Sequence, residues 1–121
     1  MIVYRSFRIH ASRFLPNLRQ DHICKKMHGH TFNITIYVSG DINKTTGFVI
    51  DFYDIDEIFK SKIHNKIDHQ ILNDVDGLNN PTSENLCVWI WEKLINNIPG
   101  LHKIKVSEDF GTGIVYSKNN G

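Results

Sequence analysis

Apolar and polar residues alternate through much of the first forty positions. Over residues 2–13, Val3, Phe7, Ile9 and Ala11 fall on one side, while Tyr4, Ser6, Arg8, His10 and Ser12 fall on the other. Arg5 and Arg13 interrupt the apolar side. Successive strand side chains point to opposite faces, so the pattern predicts a strand with one buried face. Residues 28–39 repeat it more cleanly, with Phe32, Ile34, Ile36 and Val38 against Thr31, Asn33, Thr35, Tyr37 and Ser39. Leu15 to Lys26, opened by Pro16, reads as a polar loop. Gly40 to Gly47 reads as a turn, and Phe48 to Ile50 as a short third strand. The period then lengthens. Asp51 is placed to cap a helix running through about Ile63, with Ile55, Ile58, Phe59 and Lys62 at helical spacing. A second helix starts near Ser83, opened by Pro81 and Thr82 and ended by Pro99-Gly100. Its apolar stripe is Leu86, Trp89, Ile90 and Leu94. Two strands follow, roughly Lys103 to Asp109 and Ile114 to Lys118, with Gly111 and Gly113 in the hairpin between them. The order predicts one α+β domain over residues 1–121, an antiparallel sheet with helices on one face. Its other face would need covering by further subunits.

Charge narrows the partners. Fourteen basic and thirteen acidic residues give a net charge of +1, which demands neither nucleic acid nor an anionic membrane. No apolar stretch has membrane-spanning length, and the start, Met1-Ile2-Val3-Tyr4-Arg5, does not read as a secretory signal. Cys24 and Cys87 do not make a disulfide framework, and a reducing cytoplasm is the expectation. The seven histidines are the compositional oddity, since imidazole is both metal ligand and proton shuttle.

His28-Gly29-His30 is the sharpest local feature. Two positions apart on a strand, the imidazoles share a side, which suits either the start of a zinc site or two inert polar residues at a strand end. Cys24 lies four residues earlier, beside Lys25 and Lys26, which would favour a thiolate; packing is the alternative. Asp68-His69 pairs a carboxylate with an imidazole that it could orient for proton transfer. Glu108 shares a strand face with Ile104 and Val106, where a carboxylate needs a partner or a ligand unless the strand end is exposed. Cys87, Trp89 and Trp91 read as packing.

These pieces occur in a recognisable order. Cys24-x-x-x-His28-Gly29-His30 is followed by Gly47-Phe48-Val49-Ile50-Asp51-Phe52, then Asp68-His69-Gln70-Ile71-Leu72-Asn73, then Asn80-Pro81-Thr82-Ser83-Glu84-Asn85, then Glu108 and Tyr116. The set resembles the 6-pyruvoyltetrahydropterin synthase superfamily, most closely its bacterial 6-carboxytetrahydropterin synthase branch of queuosine biosynthesis. The resemblance implies a tunnelling fold, in which subunit sheets join into a barrel, commonly a homohexamer of two trimers. It implies a lyase acting on 7,8-dihydroneopterin triphosphate, with zinc polarising the side-chain oxygens. Cys24 would be the base, Asp68 and His69 the proton relay, and Glu108 the anchor of the pterin ring. His28 and His30 would be zinc ligands. The family's first zinc histidine lies in a stretch like Ala-Ala-His-x-Leu-Pro, which here is Ala11-Ser12-Arg13-Phe14-Leu15-Pro16. Arg13 therefore stands at a ligand position, and Asp109 replaces a threonine usual after Glu108. The alternatives are 6-pyruvoyltetrahydropterin synthase activity, a variant lyase in which Arg13 replaces the metal, and a non-catalytic pterin-binding homologue without zinc.

Overall fold

The two alternating segments pair with each other along their whole length. The computed structural model describes residues 1–108 and 111–118. Strand β1 (Ile2–Arg13) runs antiparallel to β2 (His28–Ser39), from Ile2 opposite Ser39 to Arg13 opposite His28. Strand β3 (Leu101–Ser107) pairs with the other edge of β2, and β4 (Ile114–Tyr116) with β3, giving the order β1-β2-β3-β4. Helix α1 (Phe52–Phe59) widens into a π-type turn at Lys60–His64 and closes with one α-turn, α2 (Asn65–Ile67). Helix α3 (Ser83–Leu94) follows.

One face of the sheet carries the core. Ile9, Phe32, Ile34, Ile36, Ile104 and Val106 are fully buried there, in one cluster with Ile55, Phe59, Ile63 and Ile67 from the first helix and Leu86, Trp91 and Leu94 from α3. Burying each such side chain contributes about 1.5–3 kcal/mol relative to leaving it in water. A one-residue slip of β1 against β2 would move its apolar set to the solvent side, so this face also sets the register.

The caps follow the sequence closely. The Asp51 side chain accepts from Tyr53 N, and Thr82 accepts from Asn85 N. Several boundaries differ. Phe48–Ile50 is not a strand. Asn43 Oδ1 accepts from the backbone N–H groups of Thr45 and Thr46, Asn43 N donates to Phe48 O, and this local turn takes the place of sheet pairing. The first helix continues beyond Ile63 because Ile67, one turn further on, is also buried. Helix α3 stops at Leu94, not at Pro99-Gly100, because Asn97 N and Ile98 N both donate to Leu94 O in a tight turn. Strand β3 starts at Leu101, which is buried and pairs with Val38. Its expected end, Asp109, lies outside the described residues. The loop from Leu15 to Lys26 contains a short 3-10 turn, Ile23–Lys25.

The free edge of β1 is closed at its C-terminal end. His69 N donates to His10 O (2.6 Å), Ser12 N donates to Gln70 O (3.0 Å), and Ser12 bridges Ile71 in parallel. This short pairing carries Asp68 and His69 to the sheet.

Candidate active site

Glu108 directly follows β3 and meets Arg13, the last residue of β1. Arg13 is 3% exposed, and its guanidinium carbon lies 5.2 Å from the centre of the Phe32 ring. Nη1 donates to Pro81 O at 3.0 Å and lies 3.4 Å from Ser83 Oγ, while Nη2 donates to Glu108 Oε2. The Ser83 hydroxyl donates to the same Oε2 at 2.7 Å. Burial opposes ionisation of Glu108, but the Ser83 hydrogen bond and the Arg13 charge outweigh it and hold the carboxyl below the usual range. Glu108 is therefore a charged carboxylate. Its Oε1 makes no hydrogen bond among the described residues. The residue stands between a cavity of about 890 Å³, lined also by Asn33, Lys105 and Thr112, and one of about 260 Å³ lined by Ser83 and Ile114.

His28 and His30 converge as their spacing predicts, with ring centres 4.5 Å apart and edge to face. His28 Nδ1 lies 2.6 Å from Lys26 O. A carbonyl only accepts, so Nδ1 carries the proton, and in the neutral ring Nε2 is then the acceptor. That Nε2 is buried and has no hydrogen-bond partner among the described residues. A fixed tautomer of this kind suits a metal ligand. The rest of the donor set does not fit a three-histidine zinc site. The third position is Arg13, a permanent cation with no lone pair to give. Among the described residues, no group of three or more His, Cys, Asp or Glu is placed to hold a metal ion. His10 cannot substitute, since it is paired with Thr31 on the opposite sheet face and its Nδ1 lies 3.0 Å from the Thr31 hydroxyl.

Asp68 and His69 form a pair, and a second histidine joins them. His69 Nδ1 donates to Asp68 Oδ2 at 2.8 Å, His64 Nε2 lies 3.4 Å from the same oxygen, and His10 N donates to Oδ1 at 3.0 Å. Burial raises the Asp68 pKa, but the His10 backbone hydrogen bond and the two imidazoles outweigh it and hold the carboxyl below its ordinary value. His69 has φ 58°, a left-handed conformation that costs a non-glycine residue on the order of 1–3 kcal/mol. His69 and His30 line one cavity of about 290 Å³ with His10 and Gly29, so one member of the relay pair and one of the β2 histidines share a space. The i,i+4 spacing of His64 and Asp68 was the sequence signal for the extra histidine.

Cys24 is half-buried in the short 3-10 turn. His22 Nδ1 accepts from Cys24 N, and Cys24 O accepts from Leu15 N. The Lys25 Nζ donates to the Pro16 and Leu18 carbonyls. No hydrogen bond or ion pair among the described residues joins Cys24 to His28, His69 or Glu108. Cys87 is fully buried, and its Sγ donates to Ile104 O. Burial pushes this thiol up to about 12.

Fold and site together define a small α+β protein with a carboxylate anchored just beyond β3 by the last residue of β1, and a histidine-lined cavity beside the C-terminal end of β1. The 6-pyruvoyl tetrahydropterin synthase family model matches residues 2–119, and the chain belongs to that family of enzymes. A 6-carboxy-5,6,7,8-tetrahydropterin synthase of Synechocystis is 38% identical over 88% of this chain and 85% of its own length. A dihydroneopterin monophosphate aldolase of Pyrococcus furiosus is 37% identical over 67% of each chain. The solved 6-pyruvoyl tetrahydropterin synthase of Caenorhabditis elegans superposes with a TM-score of 0.88 over 97% of this chain and 94% of its own, at 22% identity, and so speaks for the fold.

Proposed function

We propose that the chain is a lyase of the 6-carboxytetrahydropterin synthase kind, converting 7,8-dihydroneopterin triphosphate to 6-carboxytetrahydropterin in queuosine biosynthesis in the cytoplasm. The observation that carries this reading is Glu108. Its Oε2 is held by Arg13 and Ser83 while Oε1 is left beside a cavity of about 890 Å³. A pterin presents an amino group and an adjacent ring N–H, donors that a fixed, ionised carboxylate accepts. In this reading Glu108 anchors the ring, Cys24 removes a proton from the substrate side chain, and His69, oriented by Asp68, returns protons. Zinc, where a family member binds it, polarises the side-chain oxygens. The donor set here does not fit a three-histidine site, and no step is assigned to a metal.

Within one chain no hydrogen bond or ion pair among the described residues joins Cys24 to Asp68 or His69, which supports a site completed between subunits. The chain would then work as a homo-oligomer, a hexamer of two trimers, whose sheets close into a barrel.

Arg13 at a ligand position favours a second reading, a pterin-binding homologue without turnover. Incubating the purified protein with 7,8-dihydroneopterin triphosphate and resolving products by mass spectrometry separates the two. The synthase reading expects 6-carboxytetrahydropterin. It also expects Glu108→Gln to weaken pterin binding roughly tenfold or more, through loss of a charge-assisted hydrogen bond. Binding without product supports the second reading, and absence of both ends the pterin reading.

A further inference from the structure

We infer that Arg13 and His28 form a metal-independent subsite for a hydroxyl of the substrate side chain. This rests on the pterin reading of the pocket and adds what recognises the side chain. Arg13 and His28 are direct partners in the β1–β2 register. Residues directly opposite on one face are close neighbours. Two of the three guanidinium nitrogens of Arg13 are committed, Nη1 to Pro81 O and Nη2 to Glu108. The third, Nε, is buried with no hydrogen-bond partner among the described residues, on a side chain 3% exposed. His28 supplies the complementary atom. Its Nδ1–H is held by Lys26 O, so its equally buried and unpartnered Nε2 is an acceptor.

An unpartnered buried donor and an unpartnered buried acceptor on facing residues are costly unless a ligand meets both. A hydroxyl does so with one atom, accepting from Arg13 Nε–H and donating to His28 Nε2. A divalent cation does not, because it would have at most the two imidazoles of His28 and His30 while facing a fixed guanidinium charge. The Arg13–Glu108 pair also links this subsite to the ring anchor, so ring and side chain are gripped by one continuous network. Arg13 thereby takes over, as a hydrogen-bond donor, the place that the family gives to a metal ligand.

The test uses two pterins, 7,8-dihydroneopterin with its hydroxylated side chain and 6-methyl-7,8-dihydropterin without one, titrated calorimetrically in EDTA. The wild-type protein is expected to prefer the hydroxylated pterin about tenfold. His28→Ala is expected to lose the preference while still binding the methyl compound, and Arg13→Lys is expected to lose the preference and, because Arg13 also holds Glu108, to weaken both pterins. Elemental analysis of wild-type protein dialysed against zinc is expected to find substoichiometric metal, and Arg13→His is expected to gain one zinc per subunit. Equal binding of both pterins to wild type overturns the inference alone, as does stoichiometric wild-type zinc that His28→Ala removes. Failure of both pterins to bind wild type overturns the pterin reading and the inference with it. Because the decisive comparisons use wild-type protein, a variant that fails to fold leaves the test intact.

Discussion

Two cysteines in one small chain illustrate how far environment separates identical side chains. Cys87 is fully buried in α3 and its thiol is pushed up to about 12, whereas Cys24 is half-buried on a loop turn. At neutral pH the thiolate fraction of Cys87 is roughly a thousandfold below that of an ordinary cysteine. Iodoacetamide is therefore expected to label Cys24 in the native protein and Cys87 only after denaturation, read by peptide mass mapping. Equal labelling of both in the native state would show that the α3 packing is open. Cys24→Ala is expected to abolish turnover and leave pterin binding within about twofold, since no binding hydrogen bond is assigned to its side chain. Arg13 carries the other lesson at this scale. Its burial among Phe32, Ser83 and Glu108 turns an interruption of an apolar pattern into the organiser of the pocket.

The elements were largely legible, and where they were not, local chemistry is the reason. Strands β1 and β2 follow the alternation because one face is buried along most of their length. Phe48–Ile50 looked like a strand by composition, but the Asn43 turn takes its backbone groups first. Glycines at element boundaries separate two sources of constraint. Gly47 and Gly100 both have positive φ, 80° and 79°. A Cβ on Gly47 meets nothing within 4 Å, whereas one on Gly100 would sit 2.4 Å from Ser39 O. Gly47→Ala is expected to cost about 1 kcal/mol of stability, from backbone strain alone. Gly100→Ala is expected to cost several kcal/mol, on the order of 3, because strain and a backbone clash combine at the β2–β3 contact. Urea unfolding midpoints of the two variants check this; equal shifts would mean that the β2–β3 end relaxes freely.

At the scale of the whole molecule, the sheet is covered on one face only. Tyr4 is 63% exposed and its ring lies 5.8 Å from that of Tyr37, while Val115 on the edge strand is 59% exposed. The proposed assembly would cover this uncovered, mostly polar face with its aromatic and aliphatic patches, and would also pair the β4 edge. Light scattering at micromolar concentration is expected to give a stable multiple of the 14.0 kDa subunit mass. Val115→Asp, placing a charge on the exposed face, is expected to shift the population towards smaller species. A wild-type monomer under these conditions would sink the assembly and, with it, the shared site.

By itself the sequence determined the class of fold, the two long strands, the helix caps and the list of residues able to do chemistry. These depend on side-chain period, on capping groups and on residue type, all of which are local. Only the tertiary structure decided which of those residues meet. Arg13 and Glu108 are ninety-five positions apart and form one ion pair; His10 and Asp68 are joined by a backbone hydrogen bond across fifty-eight. His64 joins Asp68 because the first helix runs on past Ile63, and the Lys25 ammonium donates to two carbonyls of its own loop. Such pairings follow from sheet register and from where buried polar atoms find partners, and neither is written in the spacing of residues along the chain.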